Sequence, residues 1–221
     1  MSDRLDEVLK HKHVYVPRGE TKDTLQPGKL LGLAVARAHR VPLTVLAPQK
    51  NSARFHAELA KLGIVTERSG RVSDGGVVLA WCPRYKTMEK AQHLEKSVVI
   101  LVEWIPGEFE GWAKLNQAYN VVTGEVMDAA LSPEAVDVLD RLVFEGYKGW
   151  TDSISARMVT SYLRDLDDAG AYDRDIVLAY ARQTKHEGSI ERLQKLIDAF
   201  DASKTLPGGA ASREFRTSRH W

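Results

Sequence analysis

Two segments, GVVLAWC (76–82) and SVVILVEW (97–104), are apolar at nearly every position rather than at alternate ones. A strand with one face in water alternates apolar and polar residues. An unbroken Val/Ile/Leu run bounded by turn residues reads instead as a strand buried on both faces. Such strands belong to parallel sheets, whose crossover connections cover both faces. Shorter β-rich runs, HVYVP (13–17), LTVLA (43–47) and IVTE (64–67), supply further strands.

Helical signals fall between these runs. Pro27 suits a first helical turn, and Leu30, Leu31, Ala34, Val35 and Ala38 follow at helical spacing as an inward face. Asn51 or Ser52 is expected to cap a helix burying Phe55, Leu59 and Leu62 and stopped by Gly63. Thr87 is expected to cap a short helix with Met88, Ala91 and Leu94 on its apolar side. This alternation predicts an α/β fold: an open, mostly parallel, three-layer Rossmann-like sheet domain over residues 1–125.

Beyond about residue 125 the strand signals stop. Ser132-Pro133-Glu134 opens a helix by N-cap and first-turn preferences, with Val136, Leu139, Leu142 and Val143 as its stripe. Residues 152–169 carry Ile154, Met158, Val159, Tyr162, Leu163 and Leu166, and Gly170 stops them. Asp173 starts a further helix, and Ile190, Leu193, Leu196, Ile197 and Phe200 continue the pattern after Gly188-Ser189. Residues 126–200 therefore read as a small helical bundle region. The stretch 201–221 has little apolar content and reads as a disordered tail.

Charge separates these parts. The whole chain has 31 Lys and Arg against 30 Asp and Glu, a net charge of +1. That balance excludes a histone-like nucleic-acid binder, whose affinity rests on a large cationic excess. Residues 1–125 carry a balance of +4, residues 126–200 one of −5, and the tail one of +2. A single cysteine, Cys82, excludes an internal disulfide framework and a cysteine-rich zinc site. The chain has no apolar run of about 18 residues and begins with no signal-peptide core, so a cytoplasmic protein without membrane contact is expected.

Ligands of open α/β sheets bind beyond the carboxyl ends of the strands, where the strand order reverses. That rule selects Arg18, Gly19 and Lys22 after the first strand, and Gln49 and Lys50 after the second. It also selects Cys82 and Arg84 after the fourth, with Glu103 and Trp104 ending the fifth. Four cations, Arg18, Lys22, Lys50 and Arg84, suit a nucleotide-like or phosphorylated ligand. Trp81 or Trp104 would give a stacking face, though either could equally fill the core. Glu103 is the carboxylate placed to act as a general base in a small transferase or hydrolase. Cys82 has a cation two residues on, which would lower a thiol pKa, yet a half-buried structural cysteine is the more ordinary reading.

Other motifs are missing. Gly28-Lys29 opens a helix, but Leu30 stands where a P-loop needs Ser or Thr, and Asp23 where it needs its first glycine. No G-x-G-x-x-G follows any strand and no G-x-S-x-G appears, so neither a dinucleotide cofactor nor an α/β-hydrolase elbow is expected. The histidines are scattered, and neither a metal site nor any cofactor is expected. The alternative reading is a non-catalytic adaptor. In it the acidic residues 126–200 bind a protein partner, and the basic sheet domain or tail contacts nucleic acid weakly.

Overall fold

The computed structural model describes residues 2–19 and 25–205. Seven strands form one sheet: β1 (His13–Val16), β2 (Leu43–Ala47), β3 (Gly63–Thr66), β4 (Val77–Trp81), β5 (Val98–Val102), β6 (Tyr119–Asn120) and β7 (Glu125–Val126). Their order is β3-β2-β4-β5-β1-β6-β7, parallel throughout except that β7 runs antiparallel to β6. The α/β Rossmann-like fold follows from the two continuous apolar runs. In register, Val77↔Val98 through Trp81↔Val102 put β4 and β5 side by side at the centre of the sheet, where both faces are covered.

Alternate side chains of those strands enter two separate cores. Val14, Val16, Val45, Leu79, Trp81, Ile100 and Val102 pack on one face. There they meet Val35 and Ala36 of α2 (Leu25–His39), Ala53 of α3 (Lys50–Arg54) and Leu59 of α4 (Ala57–Ala60). Tyr15, Leu46, Val78, Ala80, Val99 and Leu101 pack on the other face. Their partners include Met88 of α5 (Tyr85–Met88) and Ala113 of α6 (Glu110–Leu115). A first short helix, α1 (Ser2–Val8), adds Val8 to the first core.

Two helix faces differ from the sequence expectation. In α2 the buried residues are Gly28, Lys29, Gly32, Val35 and Ala36, while Leu30 is exposed. Glycine decides this. A Cβ at Gly28 would lie 2.7 Å from Val102 Cγ2, and one at Gly32 would lie 3.1 Å from Leu79 Cδ1. The backbone itself thus lies on the sheet beside Val35, with Leu31 packed at the edge of the core and Leu30 turned outward. The helix expected after β2 is two single turns, α3 and α4, and Phe55 in the break between them is 87% exposed. Gln49 rather than Asn51 or Ser52 stands at the N-cap of α3, and Arg84 rather than Thr87 at that of α5.

The chain divides into two compact units, residues 1–130 with 175–183 and residues 131–174 with 184–221. The C-terminal helical region comprises α7 (Pro133–Glu145), α8 (Ser153–Asp168), α9 (Arg174–Arg182) and α10 (Glu187–Thr205). Nearly all of α9 groups with the sheet, and its Arg182 guanidinium stacks 3.4 Å from the Tyr85 ring centroid. In the second unit Ser132 Oγ accepts the Ala135 N–H and Asp152 accepts those of Ile154 and Ser155, capping α7 and α8. Leu142, Val159, Leu163, Leu193 and Ile197 are buried within it. Helix α10 runs through residues 201–205, which the sequence assigns to the tail; residues 206–221 lie outside the described residues. No helix among the described residues is long and apolar enough to cross a membrane.

Helix α6 meets α9 through a glycine, because a Cβ on Gly111 would lie 2.3 Å from the Asp175 carbonyl oxygen. Backbone cannot yield as a flexible side chain does. Gly111→Ala should therefore destabilise the sheet unit by about 1–3 kcal/mol, despite the ~1 kcal/mol that alanine gains in helix propensity. Gly63→Ala, with no atom within 4 Å of its added methyl group, should stay within about 0.5 kcal/mol. Urea unfolding of both variants checks the contrast.

Candidate functional site

The strand order places the site. From β1 the chain crosses to β2 through α2 on one face, and from β5 it crosses to β6 through α6 on the other. β1 and β5 are neighbours whose connections leave on opposite faces, so a crevice opens beyond their carboxyl ends. β2 and β4 form a second such pair. The carboxyl ends of β2, β4, β5 and β1 follow one another at about 4.8 Å per strand. Lys50, Arg84, Trp104 and Arg18 therefore share one edge, with Gln49 exposed beside Lys50 and Gly19 half-buried beside Arg18. Lys22 lies outside the described residues.

At the β1–β5 crevice the Arg18 guanidinium stacks 4.5 Å from the centroid of Trp104, whose ring is 53% exposed. One guanidinium nitrogen, Nη1, is buried with no hydrogen-bond partner among the described residues. A buried donor without an acceptor costs about 1–3 kcal/mol, so this atom marks a position where an acceptor would be favourable.

Glu103 directly follows β5 and is 1% exposed. Its carboxylate accepts the backbone N–H of Arg18 at 3.1 Å on Oε2 and that of Phe109 at 2.9 Å on Oε1. Burial, then the neighbouring Glu103 charge, raises the Tyr15 phenol above its ordinary pKa. The residue expected as a general base thus has both oxygens occupied by protein donors, and it ties the loop after β1 to the approach of α6.

Trp81, the other expected stacking residue, is buried. Its indole N–H donates to the Ser52 carbonyl at 3.2 Å, and the His56 ring meets it edge-on at 4.8 Å. It fills the core beneath α3 and α4. Cys82 follows with a backbone φ of 46°, and burial pushes its thiol up to about 12 in spite of the Arg18 charge. At neutral pH it is a protonated thiol, with little of the reactivity that Arg84 suggested in the sequence.

Sequence reasoning missed the cleft beside Arg18, which has a volume of about 450 Å³. Arg18, Glu103, Glu110, Asn120, Glu125 and Asp128 are among its walls. It extends from β1 under α6 to the β6–β7 turn, and these two-residue strands give no periodic signal. Lys114 also lines it, paired with Glu110 at 3.1 Å. Asn120 Oδ1 accepts the N–H groups of Val122 and Thr123, which holds the turn. Carboxylates outnumber cations in this lining, so the cleft favours hydroxyl or amino groups over phosphate. No group of three or more His, Cys, Asp or Glu is placed to hold a metal among the described residues.

No protein-family model, curated protein or solved structure matches the chain.

Because two buried backbone donors converge on Glu103, its isosteric replacement is informative. Glu103→Gln turns an amide NH₂ toward one of them, and the variant should lose about 1–3 kcal/mol of stability in urea unfolding.

Proposed function

We propose that the protein binds a nucleotide-like or phosphorylated ligand at the carboxyl edge of its sheet. The observation that carries this reading is Arg18 Nη1, buried at the reversal of strand order and without an acceptor among the described residues. A phosphate oxygen beside Arg18 would supply that acceptor with charge assistance. The exposed Trp104 ring would stack on a base, and the carboxylate-rich cleft would accept hydrogen bonds from sugar hydroxyls. Lys50 and Arg84 would add longer-range attraction from the neighbouring strand ends. With Glu103 engaged by protein donors, the arrangement favours binding over acid–base chemistry.

A second reading, a protein-binding adaptor, has one observation in its favour. Phe144, Tyr147 and Ile154 are exposed large apolar side chains around the connection from α7 to α8.

Thermal unfolding against mononucleotides, inorganic phosphate, sugar phosphates and short single-stranded DNA separates these readings. A ligand at 100 times its Kd adds about 2.7 kcal/mol, or about 5–10 °C in Tm for a chain of this size. A mononucleotide should give that shift, and the Arg18→Ala/Lys50→Ala double variant should lose it. A shift that persists in the double variant, or none with any phosphate compound, overturns the reading. In the second case the patch of the second unit becomes the leading surface.

A further inference from the structure

Among the described residues the two buried charged side chains are Glu103 and Lys29, and both lie at the carboxyl edge. They are satisfied very differently. Glu103 has two backbone N–H donors, one on each oxygen. Lys29 is 3% exposed, and its one hydrogen-bond partner among the described residues is Glu58 Oε2 at 3.0 Å. Glu58 comes from the single turn α4, and its side chain is 53% exposed. An ammonium carries three donors, so a buried lysine with one acceptor keeps hydrogen-bonding capacity in reserve.

The position of Lys29 follows from its neighbours. Gly28 lies over Val102 and Val16, the last residues of β5 and β1. Lys29 is thus in the first turns of α2, at the strand ends that form the crevice. On its other side, Lys29 lowers the pKa of His56, after burial, and the His56 ring touches Trp81 at the end of β4. The first turn of α2 contains no acidic residue.

A buried cation must be paired, but nothing requires that its partner be part of the protein's core. Glu58 meets the requirement from the solvent side. Water can take over its carboxylate when another anion replaces it, whereas Lys29 never has to stand unpaired. We infer that Lys29 is a ligand-binding cation of the carboxyl-edge site, and that Glu58 holds its place as an internal anion which a phosphate group of the ligand displaces. This deepens the proposed function and rests on it. The chemistry is shared by free phosphate and a phosphate monoester. A mononucleotide that binds more tightly than phosphate adds the contribution of the cleft and Trp104.

Calorimetric titration of inorganic phosphate and of AMP into the wild-type chain, Glu58→Gln and Lys29→Met tests the exchange. The glutamine oxygen can still accept from Lys29, so Glu58→Gln keeps the fold while removing the competing charge. It should bind both probes about fivefold more tightly than the wild type, since a half-exposed ion pair is worth up to about 1 kcal/mol. Lys29→Met should bind about tenfold more weakly, the loss of one charge-assisted hydrogen bond. Hydrogen exchange of the wild type provides a readout independent of any variant: amides of residues 57–60 should exchange faster with phosphate bound. Wild-type binding that needs Arg18 but is unchanged in Glu58→Gln, with exchange of 57–60 unaltered, overturns the inference and leaves the proposed function standing. No binding to either the wild type or Glu58→Gln overturns both.

Discussion

The carboxylate of Glu103 fixes the place where the chain changes the face on which it crosses the sheet. Strand β1 sends its connection over one face, its neighbour β5 sends its own over the other, and the loops diverge between them. Diverging loops leave backbone N–H groups with no strand to pair with. Glu103 gathers those of Arg18 and Phe109, one from each loop, onto a single buried side chain. This clasp holds Arg18 at the mouth of the crevice, under the ring of Trp104. It also sets the approach to α6, whose Gly111 meets α9 in close backbone contact.

The two buried charges divide the work of the edge. Each Glu103 oxygen accepts from a backbone N–H that cannot leave, which suits an architectural role. Lys29 is held by a half-exposed carboxylate on a single turn, the pairing from which the inferred exchange starts. Glu58 has its own backbone N–H and the Lys29 ammonium beside it, and these hold its carboxyl below the ordinary range. It therefore remains an anion at neutral pH, as the pairing with Lys29 requires.

The central strands were legible because their burial on both faces is written into consecutive residues. Val77–Trp81 and Val98–Val102 fall inside the two apolar runs, and the parallel sheet follows from them. The helix faces were not legible in the same way. Hydrophobic periodicity placed Val35 and Leu31 of α2 on the core but misplaced Leu30, because Gly28 and Gly32 bring backbone onto the sheet. Phe55 was misplaced for a related reason: the helix is broken at that residue, and a single turn has no inward stripe. Strands β6 and β7, two residues each, were too short to show a period.

Of the site, the edge could be named from the rule for α/β sheets, which brought Arg18, Lys50, Arg84, Glu103 and Trp104 into view. What each does there depends on burial and on partners distant in sequence. Lys29 and Glu58 are 29 residues apart and meet only through the fold. The most direct test of the account is amide and indole chemical-shift mapping of the isotope-labelled chain during titration with inorganic phosphate. The account predicts that shifts concentrate at Arg18, Gly19, the first turns of α2 and the Trp104 indole. Shifts confined to the opposite, amino edge of the sheet, or none at millimolar phosphate, would contradict it.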